Sequence, residues 1–221
     1  MLLFADVEAG HIEALLRNSK LQRFPSHVEV IREGETADFL HVVVDGQVEV
    51  FSTYRDRETT VAVLGPGDSF SIAALILDKV CLGSVRTLSP ARVLLVPAEA
   101  VRQLFNADAT FAQAIALELA GAYRGIMKEL KNQKLQSTIE RLANFLLTHH
   151  ERLGTKKSFT LPFEKKVLAS CLGMAPEVLS RSFMALVPYR VRVCGAVVEI
   201  QDVEALRNLA KPSSTIDDPA V

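Results

Sequence analysis

Cysteine is scarce in this chain, occurring only as Cys81, Cys171 and Cys194. An odd count at wide spacing excludes a disulfide framework and a four-thiolate zinc or iron-sulfur site, so the thiols read as small apolar side chains in a reducing compartment. No apolar run approaches the ~20 residues of a membrane-spanning helix. The opening MLLFADVEAGHIEALL sets acidic residues directly behind a very short apolar run, which fits neither a signal nor a transit peptide. An excess of one charge is lacking too: the formal net charge is -1, so no cationic surplus announces nucleic acid. These absences lead to the expectation of a cytoplasmic protein with no membrane partner and no metal site.

Hydrophobic residues make up 49% of the 221 positions, enough for one large domain or two modest ones with real cores. Residues 1–138 hold 14 Lys/Arg against 17 Asp/Glu and the remainder 11 against 9, an asymmetry whose sign suits a DNA-binding C-terminal half. From about Leu21 to Val96, short β-rich runs are broken by turn signals. Asp45-Gly46 between Val-rich runs predicts a two-residue type I′ hairpin. Gly65-Pro66-Gly67-Asp68 and Ser89-Pro90 predict further turns, and Asp6 to Leu16 reads as a short amphipathic helix ahead of them. Many short strands without long helices between them predict a β-roll or jelly roll.

The pattern changes after Pro97. Ala98 to Phe105 reads as a short helix, and Thr110 to Leu135 as a long proline-free one. Along it Ile115, Leu119, Ala122, Ile126, Leu130 and Gln133 recur at spacings of 3 and 4, as a helix seam does. Ala120, Gly121, Ala122 and Gly125 are small enough for a partner backbone to approach. The helix is too long to be covered by the roll alone, so Ile115, Leu119, Ala122, Ile126 and Leu130 are expected to pair two copies as a homodimer. Next come a helix from Ser137 to His150, the polar break ERLGTKK, and two β-runs around Gly195 in VRVCGAVVEI. The expected division is a roll over residues 1–109, a dimerisation helix over 110–136, a winged-helix domain over 137–210, and a disordered tail over 211–221.

The stretch LASCLGMAPEVLSRSFMAL carries the most specific signal. Counted from Lys165, Ala169 is fifth and Gly173 ninth, with Leu168, Leu172 and Leu179 inward. That is helix-turn-helix spacing, with a small residue at the helix crossing and glycine where the turn needs positive φ. Pro176 suits the first turn of the second helix, where a missing N–H costs little. At 100° per residue, Leu179, Phe183 and Leu186 share one face, while Glu177, Ser180, Arg181 and Met184 share the opposite one. Arg can donate two hydrogen bonds to guanine and Glu can accept from cytosine, so the polar face suits a major groove. The alternative is a solvated Glu177–Arg181 ion pair, with Glu177 orienting the Arg fork in either case.

The roll with its GE, DG and GPGD punctuation, the long helix, and a terminal winged helix holding Pro176-Glu177-x-x-Ser180-Arg181 together resemble the CRP/FNR superfamily of bacterial transcription regulators. The resemblance covers nearly the whole chain, and the E-x-x-S-R helix is similar to the FNR-type branch. It implies an α+β fold, with a cyclic-nucleotide-binding-like roll, a dimerisation helix and a C-terminal winged helix-turn-helix. It also implies no enzymatic activity, a DNA palindrome with TTGA-like half-sites, RNA polymerase as partner, and base reading by Glu177, Ser180 and Arg181. Lys165, Lys166, Arg190 and Arg192 are the candidate phosphate contacts. Where relatives place glycine between recognition helix and wing, this chain has Val187-Pro188-Tyr189-Arg190.

Cyclic-nucleotide-binding members carry F-G-E-x-x-L and then R-[ST]-A, using Glu for the ribose and Arg with Ser/Thr for the phosphate. Here Ile72 stands at the Glu, and Cys81 and Leu82 at the Arg-Ser pair. A buried phosphate without a cationic or N–H partner is strongly disfavoured, so cyclic AMP is not expected to bind. The N-terminal cysteines of iron-sulfur relatives are missing. So are the Cys and His haem ligands of carbon-monoxide sensors, where Ser71 and Ala73 stand. The remaining apolar segment resembles the pocket of nitrogen-oxide-responsive regulators, with Ile72, Leu75, Ile76, Cys81, Leu82, Tyr123 and Met127 as lining residues. Haem is then the implied effector, with His11, His27 or His41 as axial ligands; plain core is the alternative for the segment. A metal enzyme of the cupin type is the rival class, but it needs two or three converging His plus a carboxylate, and the roll offers no H-x-H pair.

Overall fold

The computed structural model describes Phe4, residues 7–154 and residues 158–218. Two compact units make up the chain, Met1–Tyr123 and Arg124–Val221. Their border falls inside the long helix over residues 109–135. The fold is α+β.

The first unit is a roll of two four-stranded antiparallel sheets. One runs in the order β1 (Lys20–Phe24), β8 (Ala91–Pro97), β3 (Phe39–Asp45), β6 (Ser69–Phe70). The other runs β2 (Glu29–Ile31), β7 (Ser84–Thr87), β4 (Val48–Tyr54), β5 (Arg57–Leu64). Leu40, Val42, Val48, Val85 and Val93 pack between them, the burial that their apolar strand positions demand. The expected helix begins at Ala9 rather than Asp6, which lies outside the described residues; α1 is Ala9–Arg17. A six-residue helix, α2 (Ile72–Leu77), follows β6.

Asp45-Gly46 does not close a hairpin, because β3 and β4 lie in different sheets. The glycine serves a crossover instead. Gly46 has φ +82°, and a Cβ on it would sit 2.4 Å from the Pro90 carbonyl oxygen of the neighbouring crossover. The type I′ turn is at Arg55-Asp56, both with positive φ, between the paired Tyr54 and Arg57 of β4 and β5. That turn contains neither glycine nor asparagine, so composition gave no sign of it.

After α3 (Ala98–Ala107), the Asp108 carboxylate accepts the Thr110 and Phe111 backbone N–H groups and starts α4 (Ala109–Leu135). The second unit then begins α5 (Thr138–Arg152) with a capping box between Ser137 and Glu140. Helices α6 (Lys165–Cys171), α7 (Pro176–Ala185) and α8 (Val203–Ala210) pack around Leu146, Leu168, Leu179, Leu186 and Leu206. The wing has three strands rather than two, in the order β10 (Val191–Cys194), β11 (Val197–Ile200), β9 (Ser158–Thr160).

The segment expected to be a disordered tail is folded over residues 211–218; 219–221 lie outside the described residues. Gln136 Nε2 donates to Asp217 at 3.0 Å, Lys131 Nζ to Thr215 Oγ1 at 2.7 Å and Lys128 Nζ to the Asp218 carbonyl at 2.7 Å. Its polar composition hid these anchors, because their donors lie more than 80 positions away.

Candidate nucleic-acid interface

Helix α6 ends where its sequence says it must. Gly173 takes φ +61°, and the Met174 and Gly173 N–H groups return to the Ala169 and Ser170 carbonyls, a Schellman motif. Ala175 is extended at ψ 152°, as a residue before proline must be, and Pro176 opens α7. Leu179, Phe183 and Leu186 are buried, while Glu177, Ser180, Arg181 and Met184 are exposed. The structure therefore brings the three base-reading candidates onto one free face. It corrects one detail: among the described residues no ion pair joins Glu177 to Arg181. Arg181 is not oriented by Glu177, and the Ser180 hydroxyl turns back to the Pro176 carbonyl at 3.1 Å.

The cationic candidates flank this face differently. Lys165 holds its ammonium 5.5 Å from the centre of the Phe183 ring, a cation–π contact that limits its reach, and Lys166 is exposed. Arg192 is exposed on β10 opposite Glu199. Arg190 explains the missing glycine of the link. It takes φ +62° itself after a single 3₁₀ turn, Val187–Tyr189, and its carbonyl accepts the Gln201 N–H at 3.0 Å.

Arg141 is a positioning residue behind this face that the sequence reading missed. Buried on the apolar side of α5, it donates to the Leu172 carbonyl at 2.8 Å and the Gln136 carbonyl at 2.8 Å, with longer contacts to Gln133 and Gly173. One guanidinium thus ties the end of α4 to the turn between α6 and α7, satisfying carbonyls that both helix ends leave open. The available signal was a lone arginine flanked by Leu142, Ala143, Leu146 and Leu147.

The expected effector residues differ widely in exposure. Ile72, Leu75 and Cys81 are packed into the roll's core, where burial pushes the Cys81 thiol pKa up, and Ile76 is half-buried against it. Leu82 is 89% exposed, and Tyr123 and Met127 are exposed on α4. A helix of six residues turns the apolar segment's two sides apart, so a continuous apolar run does not become one wall. One cavity of the roll holds about 630 Å³ and is lined by Leu64, Asp68, Ser69, Gln113, Leu117 and Glu118, among others, with none of the seven expected residues. No histidine or cysteine lines it. His11 Nδ1 lies 2.6 Å from Asp108, His27 is exposed, and His41 is enclosed against Phe70. These side chains do not fit a haem site there.

The residues expected to form a dimer seam share one side of α4 but change burial along its length. Ile115 is 1% exposed and belongs to the roll's core, and Leu119 is half-buried against it. Ala122, Ile126 and Leu130 are exposed, and Tyr123 and Met127 flank them on that side of the helix.

Comparison with known proteins matches residues 21–108 to a cyclic nucleotide-binding domain and residues 140–209 to a Crp-like helix-turn-helix domain. A CRP-like cAMP-activated global transcriptional regulator of Mycobacterium tuberculosis is 24% identical over 216 residues, 95% of this chain and 96% of its own length. FixK2 from Bradyrhizobium japonicum superposes with a TM-score of 0.77 at 22% identity, over 88% of this chain and 98% of that one. The Thermus thermophilus catabolite activator protein superposes with a TM-score of 0.53 at 24% identity, over 96% and 99% of the two chains. The two superpositions speak for the fold.

Proposed function

We propose, on the premise that this chain belongs to the CRP family of DNA-binding transcription regulators, that it acts in the cytoplasm as a homodimer on a palindrome with FNR-type, TTGA-like half-sites. The observation that carries this reading is the free face of α7, where Glu177, Ser180 and Arg181 stand together in solvent behind a correctly turned α6. A free Glu–Arg pair unbound to each other leaves both to hydrogen-bond a C·G pair. Lys166, Arg190 and Arg192 supply phosphate contacts beside it, which position without specifying. RNA polymerase is the further partner that membership of this family implies.

The roll then serves as the sensor of a small effector other than a cyclic nucleotide. Ile72, Cys81 and Leu82 supply no cation and no side-chain hydroxyl at the clamp positions, so the shared fold does not carry the shared ligand. Haem has no ligand set at the cavity. The cupin reading has no support either: among the described residues no three His, Cys, Asp or Glu side chains converge as a metal-binding group.

Binding-site selection at fixed salt with the wild type, Arg181→Ala and Glu177→Ala tests the DNA reading. Each variant is expected to lose about 1 to 3 kcal/mol at the cognate half-site and to relax preference at the same base pair. Lys166→Ala, by contrast, is expected to weaken all sequences about equally and to flatten the salt dependence. Three indistinguishable site preferences from the wild type and the two α7 variants would reject base reading by this pair.

A further inference from the structure

Met184 leaves 72% of its surface in solvent, although the core side of α7 is filled by Leu179, Phe183 and Leu186. Around the helix it falls within about 20° of Glu177, 40° of Ser180 and 60° of Arg181. A large thioether thus stands in the middle of an otherwise polar face, one turn beyond Arg181. It offers neither charge to a phosphate nor a strong hydrogen bond to a base edge.

We propose that Met184 is a specificity-determining residue that reads the C5-methyl group of a thymine in the major groove. This rests on the reading of α7 as the recognition helix. Thymine is the one DNA base that presents a methyl group there, and apolar contact is how a protein reads it. An unbranched, polarisable side chain with three rotatable bonds adapts to such a small target. Three residues beyond Arg181 is about 4.5 Å along the helix axis, against roughly 3.4 Å per base-pair step. The thymine therefore lies one or two pairs from the pair that Arg181 reads.

The test replaces the thymines of the selected half-site one at a time by deoxyuridine, which removes only the methyl group, and measures binding of wild type, Met184→Ala and the similarly long Met184→Gln. Wild type is expected to bind one substituted site about fourfold more weakly, equivalent to ~0.8 kcal/mol for one buried methyl group. Both variants should bind the thymine and deoxyuridine versions of that site equally, while Arg181→Ala still distinguishes them. A loss that persists in both variants, or no loss at any thymine in wild type, overturns the assignment while leaving the DNA reading intact. A wild-type selection that enriches no sequence overturns the premise and the assignment with it.

Discussion

Arg190 and His41 show how single side chains carry tertiary demands. Arg190 holds a left-handed conformation that costs an L residue roughly 1 kcal/mol or more. Arg190→Gly is expected to raise stability by about 0.5 kcal/mol, since glycine's larger unfolded-state entropy offsets part of the relief. If the side chain touches phosphate, the same change lowers DNA affinity and makes the salt dependence shallower by about one ion. A higher urea midpoint with an unchanged salt slope would remove Arg190 from the contact set. His41 stacks on Phe70 with ring centres 4.7 Å apart, and burial pushes its pKa from 6.5 down to about 4, against a smaller opposing effect of the Phe39 backbone. The folded protein keeps this ring neutral while the unfolded chain protonates it. Stability is therefore fully present above pH 6.5 and falls as pH drops toward 4. The expected loss from this residue is about 2 kcal/mol between pH 7 and 5. His149, whose pKa burial and then Arg152 lower, acts in the same direction. Urea titrations of wild type and His41→Gln at both pH values isolate the His41 share, and equal losses in the two proteins would refute it.

At the scale of elements, α4 is the case where periodicity alone misleads. Residues recurring at 3 and 4 define a stripe, but Phe111 and Ile115 at its start are drawn into the roll's core. The free stripe continues on the same side two to three turns further along the helix, where Ile126 is 64% exposed beside Leu130, with Tyr123, 65% exposed, and Met127 at its flank. An apolar stripe of this length left in water favours a partner helix. Ile126→Glu combined with Leu130→Glu is expected to give monomers in light scattering that no longer bind a palindrome tightly, and retention of a dimer would reject this face as the interface. Leu119→Glu is the wrong probe, because it would also disturb the roll. The helix-turn-helix was legible because each of its constraints is local: glycine at positive φ, proline at the first helical position, a small residue at the crossing.

For the whole molecule, the question is whether a shared fold brings a shared effector. The roll matches a cyclic nucleotide-binding domain, and the M. tuberculosis relative is cAMP-activated. Two of the three clamp positions nevertheless point into the core and the third into solvent, with no cation at any of them. Calorimetry is expected to show no binding of cyclic AMP or cyclic GMP; micromolar or tighter affinity would overturn the reading and with it the placement of Ile72, Cys81 and Leu82 at the clamp.

By itself the sequence determined the element types, the α+β class and the exposed polar face of α7, because strand alternation, helix period and turn chemistry act between residues a few positions apart. Only the tertiary structure decided that Asp45-Gly46 crosses between sheets and that Arg141 joins the end of α4 to the turn between α6 and α7. It also decided that residues 211–218 are held by Lys128, Lys131 and Gln136, that Ile115 packs into the roll's core, and that a cavity beside Leu64 and Leu117 lies away from the apolar segment. Each of these depends on partners tens of positions distant, and burial at a given site is set by what packs over it, a quantity that no local window of sequence contains.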